Sequence, residues 1–334
     1  METLSMQNQE RMQHLVEPYG PLMPIESLVV SVNKIYHAAE AQSFDESHPE
    51  HTEQLPPYWQ QMTAFATSLR PGAASSILDF GCGTGFEAEQ ILRNLPPGSV
   101  ERLTCYDPSP EMLARCRSRI SPLFPQARFV SDRLAVDTGG AAYTLLATNG
   151  VLHHLPDPLA AIHDLLSLLA DNALWLCGHE PSSRFYRNQE CRTSYAAFLR
   201  ERKWRKYLAP EKYAARIKNM LGLTSIPSKQ TAEEAFRRGL FSRKPPPSVI
   251  QELTDYHVPG SLDDVLAGKG FDFEAMEREL RADWKLEWVR TYSYMGRFYQ
   301  GTLPAKWVRV CEHLSSAHPK DGAYFCTIWS RTRE

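Results

Sequence analysis

Apolar positions in this chain follow two different spacings, which alternate between residues 76 and 177. Short apolar runs bounded by turn residues predict buried strands at about 76–80, 103–107, 129–132, 143–148 and 173–177. Between them apolar residues recur every three or four positions, as in a predicted helix that begins at Pro158. This alternation predicts an α/β protein with a doubly wound sheet, in which a ligand lies across the carboxyl ends of the strands.

The alternation is absent from the two flanking regions. Before it, apolar helical patterns occupy about 28–37 and 59–69. After it, 182–284 is typical of helices and loops. A strand pattern returns at 285–295, and a helix and a last strand follow it.

The first strand of the alternating part leads into an unusual turn. Its apolar run ends at Asp79, glycines follow at Gly81, Gly83 and Gly85, and a helical pattern begins at Phe86. Glycines let the backbone adopt positive φ and let a ligand lie directly on it. A dinucleotide site needs its third glycine one residue later, and the Asp79 carboxylate would repel a pyrophosphate but suits an ammonium or sulfonium cation. The pattern therefore favours S-adenosylmethionine over NAD.

At these residues the chain resembles the class I S-adenosylmethionine-dependent methyltransferases of the small-molecule type. The glycine turn matches the first family motif, 103–107 looks like the second strand with its terminal acid, and 149–157 is similar to the segment after strand four. The resemblance implies a Rossmann-like seven-stranded sheet. It also implies four parts: an N-terminal helical cap, a cofactor-binding core, a helical lid insertion and a C-terminal edge hairpin, at 1–74, 75–181, 182–284 and 285–334.

The resemblance also implies which residues bind S-adenosylmethionine. Asp79 would bind the methionine amino group, Asp107 the ribose hydroxyls and Asp132 the adenine amine. The N-terminal helix would fold over the cofactor, with His37 and Phe44 beside Tyr36, or would merely cover the sheet. One departure is Tyr143-Thr144, where the family usually begins strand four with an acid. The complete predicted set is Asp79, Gly81, Cys82, Gly83, Gly85, Asp107, Pro108, Met112, Asp132, Asn149, Gly150 and Tyr36.

Histidines next to the predicted strand ends are candidates for catalysis. A neutral imidazole can take a proton from an attacking oxygen or nitrogen, and we favour His154 over His153 for this role. Glu180 follows strand five beside His179, and at most one of that pair is expected to face the substrate because strand neighbours point to opposite faces. A metal site built from these four residues matches no known ligand spacing, so no metal is predicted. For Asp255 and its neighbours in the insertion we expect ordinary loop hydrogen bonds.

Composition and net charge limit the classes of partner that this protein is expected to bind. The net charge of −2 favours neither nucleic acid nor a membrane as a partner, and the N-terminal residues lack the apolar segment of a secretion signal. Seven scattered cysteines without a CxxC pair are typical of a reduced, cytoplasmic protein. However, 184–244 carries 16 Lys and Arg against 5 Asp and Glu, a net charge of +11. That charge favours an anionic acceptor, contacted by Arg184 and Arg187.

The sequence therefore predicts a cytoplasmic methyltransferase that uses S-adenosylmethionine on a small-molecule acceptor. The size of the insertion favours a specialised acceptor such as a secondary metabolite. One alternative is an RNA methyltransferase that uses the basic, aromatic insertion as its RNA surface. Another is a catalytically silent protein that binds the cofactor.

Overall fold

The computed structural model describes residues 2–72, 75–136, 142–208, 227–298 and 300–332. The sequence also predicts a turn at Gly139-Gly140 and a break at 224–227, and the turn and the start of the break lie outside these residues.

A seven-stranded sheet forms the centre of the protein, which confirms the predicted fold class. The strands are β1 (Ser75–Phe80), β2 (Val100–Tyr106), β3 (Arg128–Val130), β4 (Tyr143–Asn149), β5 (Leu169–Pro181), β6 (Trp284–Tyr292) and β7 (Tyr324–Arg331). Their order is β3-β2-β1-β4-β5-β7-β6. The first five strands run parallel, while β7 pairs antiparallel with both β5 and β6. The carboxyl ends of the parallel strands therefore meet at one edge.

Helices surround the sheet and fill the flanking regions. Those before and between the parallel strands are α1 (Glu2–Val16), α2 (Ile25–Glu40), α3 (Phe44–Ser47), α4 (Pro49–Glu53), α5 (Pro56–Leu69), α6 (Phe86–Asn94), α7 (Pro110–Ile120) and α8 (Pro158–Ser167). Later helices are α9 (Arg184–Arg187), α10 (Gln189–Leu208), α11 (Pro227–Arg237), α12 (Pro247–Thr254), α13 (Leu262–Leu266), α14 (Phe273–Leu280) and α15 (Ala305–Ala317). Within the described residues, no helix combines the length and the apolar character needed to cross a membrane.

Side chains along β1 point alternately to the two faces of the sheet. A separate apolar cluster covers each face. Ile77 packs into a cluster with Trp59 and Met62 of α5. Its neighbour Leu78 packs into another with Leu165 of α8 and Phe273 of α14. All six residues of β1 are buried, as expected for a central parallel strand with both faces covered.

The segment predicted as one lid, 182–284, contributes to three different clusters. Its beginning, with Phe185 and Phe198, packs against α15 and the loop after β6. Its middle, α11 to α12, packs against α1 and α2 in a cluster that we call the cap cluster. Its end, α14, covers the sheet. The helical cap and the middle of the insertion therefore form one layer, and the predicted domain boundaries stay a prediction.

Strand β5 is longer than the predicted 173–177. Its pairing with β7 shifts between Cys177 and Glu180, and His179 has a φ of +56°. The irregularity lets β5 continue to Pro181 beside Tyr324. Simple two-residue alternation therefore does not apply to the His179-Glu180 pair.

The packing of the cap cluster leads to a first prediction, which concerns the free energy of unfolding. Phe241 is 2% exposed at its centre, whereas Phe236 on α11 is 41% exposed. We expect Phe241→Ala to lower the free energy of unfolding by about 3–5 kcal/mol, because it leaves a cavity in packed apolar surroundings. The matched control Phe236→Ala should change it by less than about 0.5 kcal/mol. Urea unfolding measures both, and equal losses would contradict the described packing.

Candidate functional site

The turn after β1 has the backbone geometry that its glycines predict. Gly81, Gly83 and Gly85 have φ values of +74°, +47° and +86°. A Cβ added at Gly81 would lie 2.5 Å from the Val151 side chain. The lack of a side chain at Gly81 therefore permits the turn to pack closely against Val151. At Gly83 an added Cβ would meet no atom within 4 Å. The turn therefore exposes bare backbone at Gly83 to open space.

Asp107 joins this turn to the next strand. Its carboxylate accepts the backbone N–H of Gly83 at 3.0 Å and that of Ser109 at 2.8 Å. Burial raises the pKa of Asp107 to about 6, although both hydrogen bonds oppose the shift. Each carboxylate oxygen has further lone pairs, so Asp107 can still accept hydrogen bonds from a ligand.

Asp79 lies fully buried at the end of β1. Neither of its carboxylate oxygens has a hydrogen-bond partner among the described residues. Burial raises the pKa of Asp79 well above its ordinary value, and the nearby Glu87 carboxyl adds a smaller increase. An unpaired buried carboxyl is costly, and a cation nearby would stabilise its charged form.

One cavity brings the glycine turn, the ends of β2 and β4 and the helical cap together. It opens to solvent, and the empty space within it and at its mouth together measures about 890 Å³. The sheet side of its wall is formed by Phe80, Gly81, Cys82, Gly83, Thr84, Phe86, Glu87, Tyr106, Asp107, Pro108, Met112, Asn149, Gly150, Val151, His154 and Leu155. The cap side is formed by Val30, Asn33, His37, Phe44 and His51.

A polar contact holds the cap over the glycine turn. Thr84 donates to the Asp45 carboxylate at 2.7 Å, and the Arg119 guanidinium of α7 donates to both Asp45 and Thr84. Phe44, next to Asp45, stacks on His48 at 4.2 Å and contacts the ring of His51. The cap therefore encloses the cavity from the side opposite the sheet.

Histidines of this region are held in the neutral form. Burial lowers the pKa of His37 to about 4 and that of His51 to about 3, and it lowers the pKa of His154 and His179 well below the ordinary value. Neighbouring imidazoles add to each shift. At neutral pH these rings carry no charge and can accept a proton.

Two of the predicted catalytic residues form a buried pair. Glu180 accepts the backbone N–H groups of Val151 and Leu152 at 2.8 and 2.9 Å, and its other oxygen lies 3.0 Å from Nδ1 of His153. His154 donates from Nδ1 to the Thr254 carbonyl at 2.6 Å, because a carbonyl can only accept. The free nitrogen of each ring is therefore Nε2.

The structure places the predicted site residues in two groups. Nine of them lie in the cavity wall, namely Gly81, Cys82, Gly83, Asp107, Pro108, Met112, Asn149, Gly150 and His154. Six lie outside that wall, namely Asp79, Gly85, Asp132, Tyr36, His153 and Glu180. Asp132 is exposed and caps a short 3-10 helix through the backbone N–H of Leu134. The roles assigned to all of these residues stay predictions.

Other wall residues were not predicted. Asn33 and His51 are at most 9% exposed, and Asn33 Oδ1 and His51 Nδ1 have no hydrogen-bond partner among the described residues. A buried polar atom without a partner is costly, and a ligand that hydrogen-bonds to these atoms would remove that cost. The resemblance had placed His37 and Phe44 of this region over the cofactor, and both lie in the cavity wall, but nothing in the sequence singled out Asn33 or His51.

Arg184 and Arg187, which were predicted to contact the acceptor, form ion pairs with carboxylates, and their contact with the acceptor stays a prediction. Arg184 donates to Glu274 at 2.9 Å and to Asp321 at 3.2 Å, and Arg187 donates to Asp272 at 3.1 Å. Neither arginine lies in the cavity wall. The charge of the two arginines is balanced by carboxylates far along the chain. The sequence alone did not indicate that these carboxylates lie beside the arginines.

Comparison with known proteins identifies the part of the chain around the cavity. Residues 78–175 match the family described as "Methyltransferase domain". Trans-aconitate 2-methyltransferase of Enterobacter sp. (strain 638) is 32% identical over 100 residues, which are 30% of this chain and 37% of that protein. Malonyl-[acyl-carrier protein] O-methyltransferase of Magnetococcus marinus is 32% identical over 101 residues, 29% of this chain and 35% of that one. The matches thus span little more than a third of either relative.

Similar solved structures include a plantazolicin methyltransferase in complex with SAH, with a TM-score of 0.45 and 14% identity, covering 91% of this chain and 98% of that one. Another is the N-methyltransferase NodS of Bradyrhizobium japonicum in complex with S-adenosyl-L-homocysteine, with a TM-score of 0.38 and 12% identity, covering 82% and 86%.

The open face at Gly83 makes a second prediction. We expect Gly83→Val to abolish the rise in melting temperature that S-adenosylhomocysteine causes in the unmodified chain, because the side chain would fill ligand space. Gly98 is a matched control, since it has a φ of +79° and open space around its Cβ position but lies outside the cavity wall. Gly98→Val should keep the full rise. If S-adenosylhomocysteine raised the melting temperature of the Gly83 variant as much as that of the unmodified chain, the turn would not be part of the ligand site.

The raised pKa of Asp107 makes a third prediction. The carboxylate must be ionised to bind ribose hydroxyls well, and its pKa is about 6, so affinity for S-adenosylhomocysteine should fall as pH decreases. We expect the dissociation constant to rise about tenfold between pH 7 and pH 5, which isothermal titration calorimetry measures. Asp107→Ala should weaken binding at pH 7 by about 1–3 kcal/mol. In Asp107→Asn the pH dependence should flatten, and a dependence that persists there would point to another group.

Proposed function

We propose that this chain, in which residues 78–175 form a methyltransferase domain of the class I S-adenosylmethionine-dependent type, transfers a methyl group to a small-molecule acceptor. The observation that carries the proposal is the cavity, which unites the glycine turn, Asp107 and neutral histidines beneath a helical cap. S-adenosylmethionine, the cofactor of this domain, supplies an electrophilic methyl group when bound.

The residues present fit this cofactor. Gly83 offers backbone with open space in front of it, and Asp107 offers a carboxylate for ribose hydroxyls. Phe80 and Tyr106 stack on each other at 4.7 Å in the same wall and provide apolar surface for a base. The buried Asp79 carboxyl lies behind the turn, where a cationic ligand would favour its ionised form.

The cap side of the cavity is proposed as the acceptor site. Val30 and Phe44 give it an apolar surface, and Asn33 Oδ1 and His51 Nδ1 provide unpartnered polar atoms. No lysine or arginine occurs among the described residues of the cavity wall. These features favour a neutral acceptor that carries an N–H or O–H group over the anionic acceptor expected from the charge of the insertion.

Methyl transfer mainly requires alignment of two reactants and exclusion of water. The cap covers one side of the cavity, where Asp45 holds it against Thr84. If the acceptor must lose a proton, His154 in the cavity wall is the proposed base. His153 lies against it, with ring centroids 4.0 Å apart, and Glu180 orients His153.

The RNA alternative is weaker than the small-molecule proposal. Phe185, Tyr186 and Phe198, part of the predicted aromatic surface, are buried in the cluster beside α15 and cannot stack on bases. Trp204, Tyr207 and Tyr213 have side chains outside the described part of the chain. A cytoplasmic location is also proposed, because all seven cysteines are free and buried.

The test uses purified chain, methyl-labelled S-adenosylmethionine and a fractionated small-molecule extract. We expect label to appear in a small molecule and to require an intact Gly83. Cofactor binding without label transfer to any fraction would favour the catalytically silent alternative. Label in RNA, with binding that weakens steeply as salt rises, would favour the RNA alternative.

The proposed base makes a fourth prediction. Once an acceptor is known, His154→Ala should lower kcat about 10²–10⁴-fold, the usual contribution of a general base. Its affinity for S-adenosylhomocysteine should stay nearly unchanged in calorimetry. His163 on α8 is a control outside the cavity wall, and His163→Ala should keep full activity. Unchanged kcat in the His154 variant would show that this imidazole takes no proton in the slow step.

A further inference from the structure

A second cavity adjoins the loop that separates β4 from α8. In this loop Leu155 lines the first cavity and Pro156 lines the second, and the two walls share no residue. The second cavity opens to solvent, and the empty space within it and at its mouth together measures about 1290 Å³. Cavities that bind small molecules typically measure about 300–1,000 Å³, so this one has room for such a ligand.

Most side chains in the wall of the second cavity are apolar. They come mainly from α8, α13, α14 and the loops beside them. Ile162, Val265 and Met276 are buried in this wall, whereas Leu266 is 75% exposed. A ligand that covered Leu266 would remove apolar surface from water, which favours binding.

The basic side chains of this wall are either paired with carboxylates or uncharged. Arg187 donates to Asp272 of the same wall at 3.1 Å. Lys269 donates to Glu252, and its side chain is only 12% exposed. Burial lowers the pKa of His257 to about 4, so this ring is neutral at pH 7. Among the described residues, the wall therefore offers an anionic ligand no unpaired cation.

The carboxylates of the wall offer little to a cationic ligand. Asp272 is paired with Arg187, and Asp157 accepts the backbone N–H of Ala160 at 3.1 Å. Glu279 is exposed to solvent. Water and salt screen a charge at such a position, so its attraction for a cation is weak. The charges of the wall therefore favour an uncharged ligand.

Two polar side chains of the wall have atoms without a hydrogen-bond partner. Asn8 is 7% exposed and Ser183 is 2% exposed, and neither Asn8 Oδ1 nor Ser183 Oγ has a partner among the described residues. In the first cavity Asn33 and His51 have unpartnered atoms in the same way. A ligand that hydrogen-bonds to such atoms would remove the cost of leaving them buried and unpaired. Because an amide oxygen can only accept, these atoms favour a ligand that donates a hydrogen bond.

We infer that the second cavity binds an uncharged, largely apolar small molecule that carries a hydroxyl or N–H group. The apolar body of the ligand would contact Leu266 and the side chains of α14. Its polar group would hydrogen-bond to Asn8 Oδ1 and Ser183 Oγ. The site is separate from the one proposed for methyl transfer, so the inference does not rest on that function.

The experiment titrates the full chain with naphthol, an apolar molecule with one hydroxyl, and measures binding by calorimetry. Naphthoate serves as the second probe, because it has the same rings and an anionic group in place of the hydroxyl. We expect naphthol to bind at least about tenfold more tightly than naphthoate, since the wall would leave the anion unpaired. Equal affinity for the two probes, or no binding of naphthol, would overturn the inference.

Leu266→Lys tests where naphthol binds. The variant should fold, because Leu266 is 75% exposed, and the loss of apolar contact should weaken naphthol binding about fivefold. Leu134 is a matched control, since it is 81% exposed and lies outside both cavity walls. Leu134→Lys should bind naphthol as tightly as the unmodified chain. Equal affinities in the two variants would overturn the assignment to this cavity.

The double variant Asn8→Ala/Ser183→Ala tests the hydrogen-bonding group. It removes two polar atoms that have no partner among the described residues, so the melting temperature without ligand should not fall. Binding of naphthol should weaken about fivefold or more. Unchanged affinity for naphthol would overturn the hydrogen bonds assigned to these two residues.

S-adenosylhomocysteine and Gly83→Val distinguish this site from the first cavity. Excess S-adenosylhomocysteine should not displace naphthol, and Gly83→Val should bind naphthol as tightly as the unmodified chain. Displacement, or loss of binding in this variant, would place naphthol in the first cavity and overturn the inference. A chain that binds S-adenosylhomocysteine but no naphthol would overturn the second site and leave the proposed methyl transfer intact. Binding of naphthol without binding of S-adenosylhomocysteine would support the second site and contradict the proposed function.

Discussion

Carboxylates that accept backbone or hydroxyl hydrogen bonds hold the loops at the carboxyl edge of the sheet in register. Asp107 ties the turn after β1 to the end of β2. Glu180, at the end of β5, ties down the loop after β4. Asp45 ties the cap to Thr84 in the glycine turn. A charged acceptor forms stronger hydrogen bonds than a neutral one, and each of these carboxylates joins segments that the sheet alone would leave independent. The cavity exists because all three contacts meet around it.

Local patterns predicted the parts of the fold that depend on local physics. Parallel strands covered on both faces appear as continuous apolar runs, so the strands up to β4 were predicted within a few residues. The turn after β1 was predicted because only glycine adopts its positive φ values without strain. Strand β5 was predicted too short, since its irregularity near His179 depends on pairing with β7, and that strand lies about 150 residues later in the sequence.

The cavity's cap side and the insertion could not be predicted in the same way. Contacts between residues far apart in sequence decide both, as when Asn33 of α2 donates to the His154 carbonyl. Charge counted along a segment does not show where that charge lies. In the insertion, Arg237 and Arg238 pair with Glu234, and Lys244 pairs with Glu233. These ion pairs fix the position of part of the basic charge, while the segment 184–244 as a whole keeps its net charge of +11.

Burial shifts the acids and the imidazoles of this cavity in opposite directions, and both shifts remove charge. The pKa of Asp107 rises to about 6, so the folded state holds its proton more tightly than the unfolded state. The pKa values of His37 and His51 fall to about 4 and 3, so as pH decreases from about 6.5 the unfolded state gains protons that the folded state does not. These two histidines therefore cost stability in acid, while Asp107 offsets part of that cost between pH 6 and pH 4. A cationic ligand acts against both protonations, since it favours the ionised carboxylate and opposes a charged imidazole. In the proposed cycle the cofactor would thus restore negative charge at Asp107 and keep the neighbouring rings neutral.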